Sequence, residues 1–325
     1  MKALQILTIL LLFFLHGCAK PKGTVFEDNR LSEEEQVKFC MLGDLGQDTE
    51  HQKAIAESLE REECHRIFML GDLVYPKGIK SLEDPELEQK FLKFYQPLLD
   101  RNPALIIPLM LGNHDHQGKP SAWLDLAKKN PGFFMPSYYY FIDYGGLCMV
   151  ALDTNFYLYK EKVQEGIEQS TWLTKLEPRL KDCDVKVAMS HHPFKGGDYP
   201  GSKDWKGAEG SMKVFLDTYV IGKFDMHISG HVHVLENDGE DEGTKMLISG
   251  TGGENRGDGA SGYIVLRWDP SNPKRIGFSM RKVETETTIV DDSVPQMQEE
   301  EHEWDERINK IRVEEPWYIR LFSIH

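Results

Sequence analysis

The stretch VKFCMLGDLGQDTEHQKAIAESLEREECHRIFMLGDLVY, residues 37–75, decides the fold. Val37 to Leu42 is a short apolar run that reads as a strand and ends on Gly43-Asp44-Leu45-Gly46. Glu50 to Glu63 is longer and amphipathic, the pattern of a helix. Arg66 to Leu70 is a second apolar run and ends on Gly71-Asp72-Leu73-Val74-Tyr75. Parallel strands need a crossover of this kind. Ligands of open α/β sheets gather at the carboxyl ends of such strands, which is where both Gly-Asp turns fall.

The pattern continues on the C-terminal side. Leu87, Phe91, Phe94, Tyr95 and Leu98 give helical spacing over Glu86 to Asp100, and Ala104 to Leu111 reads as a third strand before Gly112-Asn113-His114-Asp115. Tyr138 to Tyr144 and Leu147 to Leu152 read as strands joined at Gly145-Gly146, a hairpin signal. Gln164 to Leu180 reads as a helix carrying Ile167, Trp172, Leu173 and Leu176, followed by a strand from Val185 to Met189 and then Ser190-His191-His192-Pro193. Met212 to Ile221 reads as helix, and Met226 to Ser229 as a strand before Gly230-His231-Val232-His233. Lys245 to Ser249, Tyr263 to Trp268 and Ile276 to Arg281 read as further antiparallel strands. Two packed sheets with helices outside, an α/β fold, accommodate the whole series.

With 325 residues, the chain has room for one large α/β domain and some appendages. A net charge of -15 repels long polyanions, so nucleic acid is not expected as a partner. Met1 and Lys2 precede an apolar run, Ala3 to Leu15, that is too short to span a bilayer comfortably and reads as a signal peptide over residues 1–17. It ends Leu15-His16-Gly17-Cys18, which resembles the bacterial lipobox apart from His16. A lipid on Cys18 then anchors the exported protein to a membrane facing the periplasm or exterior, with an ordinary cleaved signal or an uncleaved anchor as alternatives. Residues 18–35 read as a tether, 36–290 as the main α/β domain and 291–325 as an acidic extension. That extension reads as a solvated helix and a strand docking on the body, with a partner-binding tail as the alternative. Cys40, Cys64, Cys148 and Cys183 lack zinc-knuckle spacing; Cys40 and Cys148 read as small buried hydrophobes, and an oxidising compartment permits a disulfide without choosing its partners.

Taken singly, each polar cluster at a strand end is a common turn. Together they bring two carboxylates, a phenol, an amide and three imidazoles, a donor mixture suited to Fe, Zn or Mn rather than Mg or Ca.

From about Val37 to about Gly253 the chain resembles the calcineurin-like metallophosphoesterases, and within them the purple acid phosphatases of the small tartrate-resistant type. The family order is Asp-x-Gly, Gly-Asp-x-x-Tyr, Gly-Asn-His-Asp/Glu, Val-x-x-His and Gly-His-x-His; four segments match, and in the fourth Ala188 stands where valine is usual. The resemblance implies a four-layer α/β/β/α sandwich of two mixed sheets flanked by helices. It implies Asp44, Asp72, Tyr75 and His233 on Fe(III), and Asp72, Asn113, His191 and His231 on a second divalent ion (Fe, Zn or Mn), with Asp72 bridging. Most of the superfamily opens with Asp-x-His, whereas here Gly46 takes the histidine position and Tyr75 offers a phenolate.

The implied reaction is hydrolysis of a small phosphate monoester by a metal-bridging hydroxide in acid. His114 is the expected general acid, oriented by Asp115; a hydrogen-bonding neighbour with no proton role is the alternative. The tartrate-resistant group has a later histidine after the fourth motif, and Pro193 to Asp204 contains none. His116 and His192 read as pocket-wall or surface residues. Ser249-Gly250-Thr251-Gly252-Gly253 is similar to the family's segment after the last motif, with no chemistry assigned. A phosphodiesterase or nucleotide hydrolase with the same metal core is one competing reading, and an inactive surface binding protein is another.

Overall fold

The computed structural model describes residues 23–196, 207–253 and 261–283. The signal run, Cys18 and the extension over 291–325 lie outside the described residues. The chain enters through β1 (Thr24–Glu27) and then builds the expected crossover from β2 (Val37–Leu42), α1 (Glu50–Glu62) and β3 (Arg66–Leu70). Helix α1 starts where the Thr49 side chain accepts from the Gln52 amide, buries Gln52, Ile55, Ala56 and Leu59 at helical spacing, and stops at left-handed Glu63. A second helical stretch runs from α2 (Pro85–Leu87) through a π turn (Glu88–Leu92) to α3 (Lys93–Arg101). It leads to β4 (Ile107–Met110), α4 (Asn113–Gln117), α5 (Ser121–Lys129) and β5 (Phe133–Phe134).

The hairpin β6 (Tyr140–Asp143) and β7 (Leu147–Leu152) follows, then α6 (Val163–Leu180), β8 (Val185–Ser190), α7 (Gly210–Tyr219) and β9 (Met226–Ser229). The last strands described are β10 (Leu235–Asp241), β11 (Thr244–Ser249), β12 (Ser261–Trp268) and β13 (Ile276–Val283). One sheet has seven strands in the order β1-β6-β7-β8-β9-β11-β10, and the other six in the order β13-β12-β2-β3-β4-β5. Both are mixed. In the first, β7, β8, β9 and β11 run parallel; in the second, β2, β3, β4 and β5 do.

Side-chain alternation makes the layers. Phe39, Met41, Phe68 and Leu70 pack between the sheets with Tyr140, Met149 and Trp268, while Cys40, Leu42, Ile67 and Met69 face the helical layer of α1, α3 and α5. Leu173, Leu176, Phe215 and Leu216 of α6 and α7 cover the opposite outer face. The result is the four-layer α/β/β/α sandwich with two mixed sheets.

Several expectations need correction. Thr24 to Glu27, expected within the tether, pairs in parallel with β6, and just beyond it Asp28 is buried against Arg66 at 2.8 Å. A strand was expected from Ala104, but it begins at Ile107. Ile167 was placed on the apolar face of its helix, yet it is exposed. β11 is antiparallel only to β10 and parallel to β9. Cys40 and Cys148 are more than buried hydrophobes: Cys40 bonds to Cys64 and Cys148 to Cys183.

The disulfides close stretches separated by 24 and 35 residues. By chain-entropy reasoning each contributes about 3–4 kcal/mol of stability. Replacing Cys148 and Cys183 together by alanine is expected to lower the urea-derived unfolding free energy by about that amount. A loss below about 1 kcal/mol would contradict the assignment of a stabilising role.

Candidate metal centre

The carboxyl ends of β2, β3, β4, β8 and β9 meet at one rim, and the backbone there turns abruptly. Asp44 (φ 61), Asp72 (φ 52) and His231 (φ 69) all occupy the left-handed region, where residues other than glycine are uncommon. Surrounding hydrogen bonds hold this backbone in place. The Asp44 amide donates to Gly71 O at 2.9 Å, the Leu45 amide to Asp72 O at 2.9 Å, and the Tyr75 amide to Gly46 O at 2.8 Å. Gly46 explains the unusual opening motif: a Cβ there would collide with the Leu73 carbonyl, so a histidine cannot occupy the position. At Gly112 a Cβ would collide with the Asp72 carboxylate.

Tyr75 organises one half of the centre. Its hydroxyl lies 2.9 Å from Asp44 Oδ1, 3.0 Å from Asp72 Oδ2 and 3.0 Å from His233 Nε2. Lys90 Nζ pins the Tyr75 carbonyl at 2.8 Å. In the other half, Asn113 Oδ1 lies 3.1 Å from His191 Nε2 and 3.0 Å from His231 Nδ1, and those two nitrogens are 3.3 Å apart. Asp72 Oδ2 joins the halves, 3.3 Å from His191 Nε2. All seven expected donors therefore converge.

These residues fit a pair of cations. Asp44 and Asp72 are buried, and among the described residues no lysine or arginine forms an ion pair with either. His191 Nδ1 donates to Leu70 O at 2.9 Å, which leaves Nε2 to face the centre, the usual orientation of a ligating imidazole. Burial by itself would raise the Asp72 carboxyl, but His191 and His114 outweigh it and hold the group below the usual carboxylate range. Burial would likewise depress His191, yet Asp72 lifts it to about 9. Burial, then Asp44 and Asp72, push the Tyr75 phenol well above its ordinary value. A phenolate at this position thus calls for a strong cation beside it.

His114 sits at the rim. Its Nδ1 donates to Pro76 O at 2.5 Å, its Nε2 lies 3.8 Å from Asp72 Oδ2, and its ring is 4.3 Å from that of Tyr75. Asp115 does not orient it, contrary to expectation. The Asp115 carboxylate accepts instead from the Leu73 amide at 3.1 Å and the Gly112 amide at 2.9 Å, locking the second motif to the third. Burial and Asp72 raise this carboxyl to about 8 against those amides.

His192 and His116 are inside rather than at the surface. His192 Nδ1 is 2.8 Å from Thr154 Oγ1, and His116 Nε2 is 2.7 Å from Asp153 Oδ2. The Ser249 segment lies behind Asp44, with the Gly43 amide donating to Ser249 O at 2.7 Å and the Gly252 amide to Gly43 O at 2.9 Å. Asp153-Thr154-Asn155, not expected at the site, also stands directly after a strand, as the other clusters do.

A two-sheet sandwich that gathers carboxylates and imidazoles at parallel strand ends puts cation donors where α/β sheets bind their ligands. The calcineurin-like phosphoesterase family matches residues 37–235, and the chain belongs to that family. Purple acid phosphatase 7 of Arabidopsis thaliana is 25% identical over 288 residues, covering 83% of this chain and 84% of that protein. Tartrate-resistant acid phosphatase type 5 of Mus musculus is 24% identical over 252 residues, 66% of this chain and 72% of that protein. Among solved structures, "GAP50 the anchor in the inner membrane complex of Plasmodium" shares the fold at TM-score 0.57 and 19% identity, covering 78% of this chain and 90% of that one. A dimetal phosphatase from Danio rerio does so at TM-score 0.52 and 12% identity, covering 76% and 96%.

Gly112→Ala is expected to displace the Asp72 carboxylate and lower metal affinity roughly 10–100-fold, with the circular dichroism spectrum unchanged. Calorimetric metal titration checks this; wild-type affinity would show that the close approach at Gly112 is not needed.

Proposed function

We propose that the chain hydrolyses phosphate monoesters at a dinuclear centre of Fe(III) and a divalent ion, as an acid phosphatase. The observation that carries this reading is the convergence of the Tyr75 hydroxyl on Asp44, Asp72 and His233, all within about 3 Å. The Tyr75 hydroxyl lies within hydrogen-bond reach of both carboxylates, and as a phenolate it would be a hard anionic donor for a trivalent ion. Asp44, Asp72, Tyr75 and His233 would hold the iron, and Asp72, Asn113, His191 and His231 the divalent ion. When bound, such a pair activates water and stabilises the entering and leaving oxygens of an in-line displacement.

The chain's own groups supply orientation and the proton. Asn113, His114 and His231 are partly open to solvent while Asp44, Asp72, Tyr75, His191 and His233 are buried, so a small phosphorylated substrate enters on the Asn113 side. His114, with Nδ1–H fixed on Pro76 O, presents Nε2 toward the shared carboxylate and donates its proton to the leaving alkoxide. No later histidine in Pro193 to Asp204 shares that task, so leaving-group protonation rests on His114.

The purified protein is expected to contain iron and to show a visible tyrosinate band that Tyr75→Phe abolishes. A band that survives the substitution would sink the iron assignment. His114→Ala is expected to slow alkyl phosphate hydrolysis by about 10²–10⁴ with metal content unchanged, as steady-state kinetics would record. A panel including diesters and nucleotides tests the monoester preference.

We further propose export and a lipid anchor on Cys18. Two disulfides support an oxidising compartment. Wild-type protein is then expected in the detergent phase on phase separation and Cys18→Ala in the aqueous phase; identical partitioning would contradict the anchor.

A further inference from the structure

A sixth polar cluster stands at the same rim as the five motifs. Asp153, Thr154 and Asn155 follow β7, whose last residue, Leu152, pairs with Ser190 of β8, immediately before His191. All three are buried, with exposure of 1% or less. A polar run enclosed to this degree needs partners, and each of its side chains finds one on the same part of the centre.

Thr154 Oγ1 is 2.8 Å from His192 Nδ1 and also accepts from the His192 amide at 3.4 Å. The His192 ring in turn packs against both neighbouring imidazoles, its centroid 4.5 Å from that of His231 and 4.8 Å from that of His191. One ring nitrogen from each of the three histidines falls within 4.8 Å of the others. Asn155 Nδ2 donates to Leu111 O at 3.1 Å, two residues before Asn113, and to Asp153 Oδ1 at 2.9 Å.

Asp153 Oδ2 accepts from His116 Nε2 at 2.7 Å, on the short helix α4 that begins with Asn113. Lys162 Nζ donates to His116 Nδ1 at 2.8 Å, which places the imidazole proton on Nε2, toward Asp153. Gln169 fastens the cluster from α6, accepting from the Asp153 amide at 2.9 Å and donating to the Asp153 carbonyl at 3.1 Å. Through His192, Leu111 and α4, the contacts of Thr154, Asn155 and Asp153 run toward His191, His231 and Asn113. Among the described residues, no side-chain hydrogen bond of Asp153, Thr154 or Asn155 goes to Asp44, Tyr75 or His233.

We propose that Asp153, Thr154 and Asn155 form a positioning platform for the second-ion half of the centre and set the affinity for that ion independently of the Tyr75 half. The inference rests on the two-ion reading above. Neighbours that orient ligands typically change metal affinity 10–100-fold when removed. Because the platform touches one half only, its loss should split the two ions rather than release both.

The test uses the full chain, demetallated and reloaded with iron and then titrated with Zn(II), in wild type, Thr154→Val, Thr154→Ser and Asp153→Asn. Thr154→Val is expected to bind Zn(II) about 10–100-fold more weakly while keeping its iron and an unchanged tyrosinate band. Thr154→Ser, which retains the hydroxyl, is expected to restore the affinity. Asp153→Asn gives an independent reading through α4 and serves if Thr154→Val does not fold. Unchanged Zn(II) affinity in the folded variants, or parallel loss of iron and Zn(II), overturns the platform. Wild-type protein that takes up iron but no second ion overturns the two-ion reading itself, and the platform with it.

Discussion

Two carboxylates, Asp44 and Asp72, are buried at 0% and 2% exposure with oxygens within 4.8 Å of each other, and the rest of the structure is arranged around that crowding. Two such charges repel by roughly 3–4 kcal/mol at an effective dielectric near 20, before any cost of desolvation. The described residues answer with neutral or conditional partners: a phenol, imidazoles and backbone N–H groups from His114 and His231. Cations complete such a set. The proposed pair of ions would offset the repulsion between these two carboxylates.

The sandwich makes this crowding possible because two sheets deliver their parallel strand ends to one rim. β2, β3 and β4 bring Asp44, Asp72 and Asn113 from one sheet, and β8 and β9 bring His191, His231 and His233 from the other. Each sheet is locked by packing on both faces, so the donors inherit a rigid frame. Left-handed backbone at three donors is held by that frame, and Gly46 and Gly112 give the room that side chains would otherwise fill. Asp115 binds the second and third motifs together through amides of both.

Much of this was legible in the chain itself, for local reasons. Val37 to Leu42, Arg66 to Leu70, Leu147 to Leu152 and Met226 to Ser229 form strands with the same bounds that the sequence suggests, because short apolar runs end on glycine or polar turns. The seven donors were legible as ordered motifs. β10 was not, since Leu235-Glu236-Asn237-Asp238-Gly239-Glu240-Asp241 is a polar edge strand with no alternating apolar pattern. β1 is equally short of signal, and only its pairing with β6 and the Asp28–Arg66 contact define it. Disulfide partners, the bracing role of Asp115 and the interior places of His116 and His192 depend on contacts between distant segments. No window along the chain contains them.

An anomalous-diffraction experiment on crystals of the iron- and zinc-loaded protein, with maps at both absorption edges, tests the central claim most directly. The expected result is two peaks roughly 3.5–4 Å apart, the iron beside Tyr75, Asp44 and His233 and the zinc beside Asn113, His191 and His231, with Asp72 between them. A single peak, or an iron peak remote from the Tyr75 hydroxyl, would contradict it.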